Sequence, residues 1–175
     1  MKDADELVIL VDAQDTVVGV APKLEAHRTG VLHRAFSVFL RDTKGRLLLQ
    51  RRAHGKYHSG GRWANTCCGH PRSGESARDA ARRRLGEEMG IDCELAAAGS
   101  FLYRADVGAG LVEHELDHLF IGRFDGVPSP DINEVVEWRW ASPRDVELDL
   151  IANPDRYAAW FAPALAALQS SRPPT

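Results

Sequence analysis

The chain has 175 residues, a formal net charge of −3 at pH 7, and 27% charged residues. That length suits one domain with a single hydrophobic core, and the composition is that of an ordinary soluble protein. The acidic balance argues against a nucleic-acid-binding protein, which usually carries a basic patch. No stretch approaches the ~20 apolar residues of a membrane helix, so no membrane association is expected.

The N-terminus and the cysteines indicate the compartment. The opening segment, MKDADELVILVD, is acidic and lacks the pattern of a signal peptide. The chain has three cysteines, two of them adjacent at Cys67 and Cys68, which do not make a disulfide framework. We therefore expect a cytoplasmic protein. Cys93 is predicted to be a small core residue.

The first third of the chain is predicted to form two hairpins. Two short apolar runs on either side of a polar turn predict the first hairpin, over residues 7–20. A polar connection with at most one helical turn follows at 23–29. Strands at 35–40 and 46–50 flank a glycine-containing turn, which predicts the second hairpin. A basic, glycine-rich loop then runs to Arg62.

The central stretch 63–91 contains a short strand, a tight turn around His70 and a charged helix. Ser76 is a good N-cap, since Asp79 follows three positions later as in a capping box, and Gly90 is placed to end the helix. Arg84 and Glu88 form an i,i+4 pair on it. The apolar stripe recurs every four residues at Ala77, Ala81, Leu85 and Met89.

The last part of the chain is predicted to be three strands followed by two helices. The strands are expected at 93–103, 111–124 and 135–140, a short helix from Ser142-Pro143, and a final helix at 155–168. No repeat or domain boundary is visible. The sequence therefore predicts an α+β fold, with a mixed sheet flanked by helices in one compact domain over 1–175. Its core is expected at about 5–168, with a frayed tail at 169–175.

The central stretch resembles a known family. Its Gly69, Glu75, Arg83, Glu87, Glu88, Gly90 and Ile91 have the spacing of the Nudix box, a loop–helix–loop that binds metal and diphosphate. The box has Arg-Glu where this chain has Arg83-Arg84, and the replaced glutamate belongs to the metal-binding machinery of the hydrolases. The segment 65–71, NTCCGHP, is similar to the signature of the type I isopentenyl diphosphate isomerases, which share the Nudix α/β/α fold. The likeness extends to His27, His33, Tyr103, Glu113, Glu115 and Trp160.

The resemblance implies a metal site. Glu113 and Glu115 are two positions apart on a predicted strand, so both carboxylates point to one face. Histidine and carboxylate ligands suit a divalent ion, with Mn²⁺ first and Zn²⁺ or Mg²⁺ as alternatives. The family's ligands match His27, His33, His70, Glu113 and Glu115. The remaining histidines, His54, His58, His114 and His118, have no counterpart among those ligands and are interpreted as structural or exposed.

The resemblance also implies a diphosphate site. A diphosphate carries several negative charges and needs cations and a second metal. Glu88 and the backbone carbonyl of Cys68 match the residues that hold Mg²⁺ in the family. The family's phosphate-binding positions match Lys23, Arg52, Lys56 and Arg84.

The reaction that the resemblance implies is a 1,3-shift of a double bond between isopentenyl and dimethylallyl diphosphate. One proton is added and another removed, through a carbocation-like centre that must be shielded from water. The family match places Cys68 and Glu115 on opposite sides of the allyl unit, with Tyr103 hydrogen-bonded near the glutamate and the π-face of Trp160 towards the cation. Which of Cys68 and Glu115 donates the proton stays open.

The two adjacent cysteines should differ. In an extended segment they point to opposite faces, which places Cys68 in the metal-side cavity and Cys67 in the packing behind it. Metals and basic groups near Cys68 are expected to raise its thiolate fraction and make it the more readily alkylated thiol.

Two other functions remain open alongside the isomerase. One is a Nudix hydrolase of a nucleotide or isoprenoid diphosphate, and the other is a non-catalytic diphosphate-binding module. Arg84 in place of a glutamate argues against the first, and the set of Cys68, Glu115 and Tyr103 argues against the second. The expected partner is a small diphosphate substrate, with the protein a monomer or weak dimer.

Overall fold

A computed structural model describes residues 6–171. Across that range, nine strands form one mixed sheet. The strands are β1 (Leu7–Val11), β2 (Val17–Pro22), β3 (His33–Arg41), β4 (Leu47–Arg52), β5 (Trp63–Ala64), β6 (Cys67–Gly69), β7 (Leu95–Gly108), β8 (Leu111–Arg123) and β9 (Val135–Ala141). The helices are α1 (Lys23–Thr29), α2 (Ala77–Met89), α3 (Pro143–Ala152) and α4 (Phe161–Ser170).

Strand β3 is the hub of the sheet. It pairs antiparallel with β1, β4 and β6, and parallel with β8. The parallel register sets His33 opposite Glu115, so two predicted metal ligands lie at one end of neighbouring strands. Strand β8 also pairs with β7 in a long antiparallel hairpin, in which Tyr103 is opposite Glu115.

Helices pack on both faces of this sheet. On one face, Leu85 and Met89 of α2 belong to a buried cluster with Phe36 of β3. On the other face, Phe161 of α4 belongs to a second cluster with Phe39. Because alternate residues of β3 enter opposite clusters, the predicted α/β/α layering of a mixed sheet between helices in a single compact domain is confirmed.

Helix α2 is capped as its sequence predicts. The Ser76 hydroxyl accepts the Asp79 backbone N–H at 3.1 Å. At the other end, Gly90 adopts a left-handed conformation with φ of 63°, and its N–H bonds back to Gly86. Both ends of the helix are therefore fixed by local residues. No described helix combines the length and apolar character that crossing a membrane requires.

The predicted second hairpin is confirmed, but its two strands pair antiparallel only next to the turn. Strands β3 and β4 meet only at Arg41 opposite Leu47, because each then turns to other partners. Strand β4 pairs with β5 and β9, whereas β3 pairs with β6 and β8. The strands β7 and β8 follow the prediction, although β7 runs on to Gly108, beyond the end predicted at residue 103.

The final helix begins later than the predicted residue 155. Residues Pro154–Arg156 form one 3₁₀ turn, and α4 begins only at Phe161. Pro163 explains the delay, because a proline beyond the first turn removes a helical hydrogen bond and clashes with the preceding turn. Helix α4 reaches Ser170, inside the tail that was expected to fray, and 172–175 lie outside the described residues.

Candidate functional site

Two adjoining cavities lie beside β6 and the loop 53–62. We call the larger one, of about 240 Å³, the outer chamber; it is lined mainly by charged side chains. The smaller one, of about 50 Å³, is the inner chamber, lined by histidine, carboxylate and aromatic side chains. Both are lined by Lys23, Arg52, Cys68, Gly69 and His70, so the chambers lie side by side.

Four of the five predicted metal ligands converge in the inner region. One ligand atom from each of His27, His33, His70 and Glu115 lies within 4.8 Å of the others, and all four residues are buried. They come from α1, the start of β3, the end of β6 and β8. Separations of this size suit donors around one cation. The site is thus assembled from elements that are distant in the chain.

The hydrogen bonds of these histidines orient them as ligands. His33 Nδ1 lies 2.9 Å from the Val31 carbonyl, which can only accept, so Nδ1 carries the proton and the Nε2 lone pair is left available. The Tyr57 hydroxyl contacts Nδ1 of His27. The Nε2 atoms of His27 and His33 are buried without a hydrogen-bond partner among residues 6–171. Buried orphan nitrogens of this kind fit a bound cation.

Burial keeps the imidazoles of His27 and His70 neutral, which is the form that binds metal. It lowers the pKa of His27 to about 2, with help from the neighbouring His70 and His33 rings. Burial likewise lowers the pKa of His70, against the opposing effect of its hydrogen bond with Glu115. These two histidines therefore need no deprotonation at neutral pH to accept a divalent ion.

The two glutamates and Tyr103 form a coupled acid group. The Tyr103 hydroxyl donates towards Glu113 at 3.0 Å and also contacts Glu115. Burial and the charge of Glu115 raise the pKa of Glu113. Burial also acts on Glu115, but the adjacent His33 and His70 rings hold the pKa of Glu115 well below its usual range. Burial raises the pKa of Tyr103, so its hydroxyl stays protonated.

Glu113 belongs to a second donor group that the sequence did not reveal. Its ligand atom lies within 4.8 Å of those of His27 and His58. His58, interpreted from sequence as structural or exposed, is buried with Nε2 only 3.2 Å from Glu113 Oε1. Its loop lacks the periodicity that would indicate which side chains point inwards, so no signal in the sequence could have placed it.

The other three histidines lie outside both donor groups, as predicted. His54 is exposed on the same loop as His58. His114 Nδ1 lies 2.9 Å from the Gly30 carbonyl. His118 Nε2 lies 2.9 Å from an Asp15 carboxylate oxygen.

The two cysteines point to opposite faces of β6, as predicted. Cys67 is fully buried in the cluster beneath α2, whereas Cys68 lines both chambers. The expected rise in thiolate is not produced by the protein groups. Burial raises the pKa of the Cys68 thiol, and the Arg52 guanidinium, 4.0 Å from its sulfur, opposes this without overcoming it. Cys68 is therefore a thiol in this environment.

Trp160 closes the inner chamber. It immediately precedes α4, and its indole N–H donates to the Asn65 side-chain oxygen at 3.1 Å. The Asn65 amide in turn donates to the carbonyls of Val38 and Cys67. The Arg52 guanidinium lies 4.9 Å from the centroid of the indole ring. The ring is thus fixed between a cation and the strand that bears the cysteines.

The four predicted phosphate-binding cations, Lys23, Arg52, Lys56 and Arg84, all line the outer chamber. Arg84 Nη2 lies 2.7 Å from Glu88, and Lys23 Nζ lies 3.3 Å from Glu6. Lys56 forms an ion pair with Glu134. The sequence reasoning missed three further residues near these cations, namely Gln50, which donates to Glu88 at 2.9 Å, and the chamber-lining Arg72 and Glu134.

A roomier hollow of about 690 Å³ lies at the far ends of β3 and β8, beside Arg41 and Arg123. None of the predicted site residues lines it. Size alone therefore does not identify the site, whereas the clustered donors and cations do.

The comparisons with known proteins agree with this geometry. Residues 31–161 match the NUDIX domain. The chain is 52% identical to Isopentenyl-diphosphate Delta-isomerase 2 of Aromatoleum aromaticum, covering 96% of this chain and 89% of that protein. It is 51% identical to Isopentenyl-diphosphate Delta-isomerase of Burkholderia multivorans, with 90% and 89% covered.

Solved structures show the same fold at low identity. DR0079 from Deinococcus radiodurans superposes with a TM-score of 0.76 at 22% identity, covering 95% of this chain and all of that one. The MutT protein from Methanosarcina mazei Go1 gives a TM-score of 0.64 at 21% identity, with 79% and 93% covered.

Proposed function

The chain belongs to the isopentenyl-diphosphate Delta-isomerases of the NUDIX family, and we propose that its two chambers divide their reaction between diphosphate binding and proton transfer. The reaction interconverts isopentenyl diphosphate and dimethylallyl diphosphate. One end of the substrate is a multiply charged group that does not react, and the other is a small branched hydrocarbon. The contrast between the charged outer chamber and the buried inner chamber matches these two ends.

The outer chamber holds the diphosphate in this proposal. Lys23, Arg52, Lys56 and Arg84 all point into it and offer charge-assisted hydrogen bonds to phosphate oxygens. Lys23, Lys56 and Arg84 are paired with the carboxylates of Glu6, Glu134 and Glu88 beside this cavity. Glu88 and the Cys68 carbonyl are the proposed holders of Mg²⁺, which would neutralise part of the diphosphate charge.

The inner chamber holds the hydrocarbon. Cys68 and Glu115 both line it, and each carries a proton-exchanging group that can serve one end of the allyl unit. Tyr103, bonded to Glu115, orients that carboxylate. Trp160 covers the chamber and offers a π-face to the carbocation-like centre, an interaction of roughly 0.5–2 kcal/mol. The burial of these groups excludes water that would otherwise trap the cation.

The buried histidine–carboxylate group fits a divalent metal, for which we propose Mn²⁺ first. The proposed ligands are His27, His33, His70, Glu113 and Glu115. The orphan Nε2 atoms of His27 and His33 support this assignment. An ion bound there would supply positive charge next to Glu115 and so tune its acidity.

One observation favours isomerase activity over hydrolase activity. Beyond the diphosphate cavity lies a buried chamber in which Cys68, Glu115 and Trp160 meet, and hydrolysis of a diphosphate has no use for it. The replacement of the Nudix-box glutamate by an arginine also argues against a hydrolase. Arg84, at that position, binds Glu88 and Glu134 and adds a cation to the phosphate side.

Isotope uptake tests the proposal. The protein is incubated with isopentenyl diphosphate and Mg²⁺ in deuterated water, and the products are examined by mass spectrometry and phosphorus NMR. We expect dimethylallyl diphosphate carrying deuterium in its carbon skeleton, because the protons exchange through protein groups. Release of phosphate or pyrophosphate at a comparable rate, without deuterium uptake, would contradict it.

We also propose that the enzyme works in the cytoplasm as a monomer or weak dimer. Both chambers are built from one chain, so no second copy is needed to complete them. Light scattering of the purified protein over a range of concentrations tests this, and a stable tetramer would contradict it.

A further inference from the structure

His58 lies in a position that the proposed five-ligand metal site does not use. Two donor groups overlap here: His27, His33, His70 and Glu115 form one, and His27, His58 and Glu113 form the other. His27 belongs to both groups, so the two groups adjoin at this residue, although the six ligand atoms do not all lie within 4.8 Å of one another. All six residues are buried. The donors are therefore four imidazoles and two carboxylates in two adjoining groups, which a bound ion would have to draw together.

The spacing within each group is that of neighbouring ligands on one ion. With metal–ligand bonds of about 2.1 Å, two adjacent octahedral ligands stand about 3 Å apart. His58 Nε2 lies 3.2 Å from Glu113 Oε1. The nitrogen–oxygen pairs of the other group are similar, since Glu115 Oε1 lies 2.9 Å from His70 Nε2 and 3.4 Å from His33 Nε2. The distance between His58 and Glu113 is therefore similar to the distances that separate these two histidines from Glu115.

Charge favours one ion over two. Glu113 and Glu115 together balance a single divalent cation. A second divalent ion would leave two uncompensated positive charges in a buried space, next to Lys23 and Arg52, which also line the inner chamber. Six donors of mixed imidazole and carboxylate type suit one octahedral ion such as Mn²⁺.

The His58 ring is held in an orientation that suits a ligand. It packs edge-on against Tyr57 and Trp160, with centroids 4.4 Å and 6.0 Å away. Nδ1 lies 3.3 Å from the Ser59 hydroxyl. A proton on Nδ1 can therefore be donated to Ser59, which leaves the Nε2 lone pair for the ion.

We propose that His58 is a further ligand of this metal centre and that the ion thereby anchors the loop 53–62. This inference rests on the metal centre of the proposed function. The loop also carries Lys56, two residues away, which lines the outer chamber. A metal–His58 bond would thus join the metal centre to the diphosphate site through a stretch of three residues.

Ligand counting tests the proposal directly. The protein is loaded with Co²⁺, and the exchangeable, paramagnetically shifted imidazole N–H signals are counted by proton NMR. Each coordinated histidine contributes one such signal, so we expect four in the wild type and three in His58→Ala. The matched control is His54→Ala, which removes an exposed histidine from the same loop and should retain four.

Affinity for Mn²⁺ gives a second readout that does not depend on activity. In competition with a chelator, His58→Ala should bind Mn²⁺ about 10- to 100-fold more weakly than the wild type, and His54→Ala should match the wild type. Trypsin should cut the loop at Lys56 or Arg62 faster in His58→Ala than in the wild type when both hold metal. Circular dichroism establishes that the variant is folded.

The outcomes separate the two proposals. Three shifted signals and equal Mn²⁺ affinity in wild type and His58→Ala would overturn ligation by His58, while the five-ligand centre would stand. Wild-type protein that binds no divalent ion at the histidine cluster would overturn the metal centre itself, and the role of His58 with it.

Discussion

The outer and inner chambers adjoin each other but are built on opposite principles. The outer chamber is lined by opposite charges that pair with one another, such as Arg84 with Glu88 and Lys56 with Glu134. The inner chamber is lined by buried histidines, carboxylates and aromatic rings with a few orphan polar atoms. In the proposed function, the groups of the outer chamber exchange partners when a charged ligand arrives, and those of the inner chamber carry out the chemistry.

If each chamber has its proposed role, this difference implies that binding and chemistry can be separated by mutation. A change in the outer chamber removes contacts to a group that is the same in substrate and transition state, so it should raise KM. A change in the inner chamber removes a group that acts only as bonds change, so it should lower kcat. The predictions below test that separation.

The largest effect is expected for Glu115→Gln. The amide keeps the size of the side chain but cannot exchange the proton, so kcat should fall by about 10²- to 10⁴-fold. KM should change much less, because Glu115 does not line the outer chamber that is proposed to hold the diphosphate. Steady-state kinetics measure both. Glu137→Gln, an exposed glutamate on β9 paired with Arg51, is the control and should behave as wild type.

Almost as large an effect is expected for Cys68→Ala, which removes the second acid–base group. Its neighbour provides the matched control, because Cys67→Ala deletes the same atoms on the opposite face of β6. We expect a nearly inactive Cys68→Ala, whereas Cys67→Ala should stay active and lose roughly 1–2 kcal/mol of unfolding free energy from the core. Kinetics and chemical denaturation distinguish the two. Wild-type turnover by Cys68→Ala would contradict an acid–base role for Cys68.

A smaller effect, confined to binding, is expected for Lys56→Ala. A hydrogen bond to a charged group is worth about 1.5–3 kcal/mol, so KM should rise about 10- to 100-fold while kcat falls much less. Lys44→Ala, on the exposed turn between β3 and β4, is the control. A fall in kcat with unchanged KM would mean that the two chambers are not separate in function.

Local features of the fold could be predicted from the sequence, and long-range ones could not. Ser76, Asp79 and Gly90 determine the ends of α2 through contacts within a few residues. Strand β3 instead pairs along its whole length with β8, about 80 residues later in the chain. No local pattern in the sequence indicates this pairing. The alanine-rich segment 155–168 predicts a helix throughout, whereas Pro163 restricts the helix to a start at Phe161.

The candidate site shows the same limit. Family resemblance supplied the residues that match a known motif, and the structure brings Cys68, Glu115 and Tyr103 together. His58 has no counterpart in that motif, and burial of its loop residues follows from tertiary packing against Trp160. The raised pKa of Cys68 was missed for a related reason, since nearby arginine is visible in the sequence but desolvation is not.

The smallest effect should come from Ser76→Ala, which tests whether the outer chamber depends on how α2 begins. The Ser76 hydroxyl caps the helix by accepting the Asp79 N–H at 3.1 Å, and its loss should cost about 1 kcal/mol. For a domain of this size that corresponds to a melting temperature lower by about 2–4 °C. Arg84 lies two turns further along α2, so kcat and KM should not change.

Ser142→Ala is the matched control for this variant. Ser142 caps α3 with the same bond, to the Asp145 N–H at 3.1 Å, and α3 contributes no residue to either chamber. Both variants should therefore lose similar stability in thermal unfolding and keep wild-type kinetics. A rise in KM for Ser76→Ala alone would show that fraying at the start of α2 reaches Arg84 and Glu88. The outer chamber would then depend on the cap, and its cations could not be treated as groups fixed independently of it.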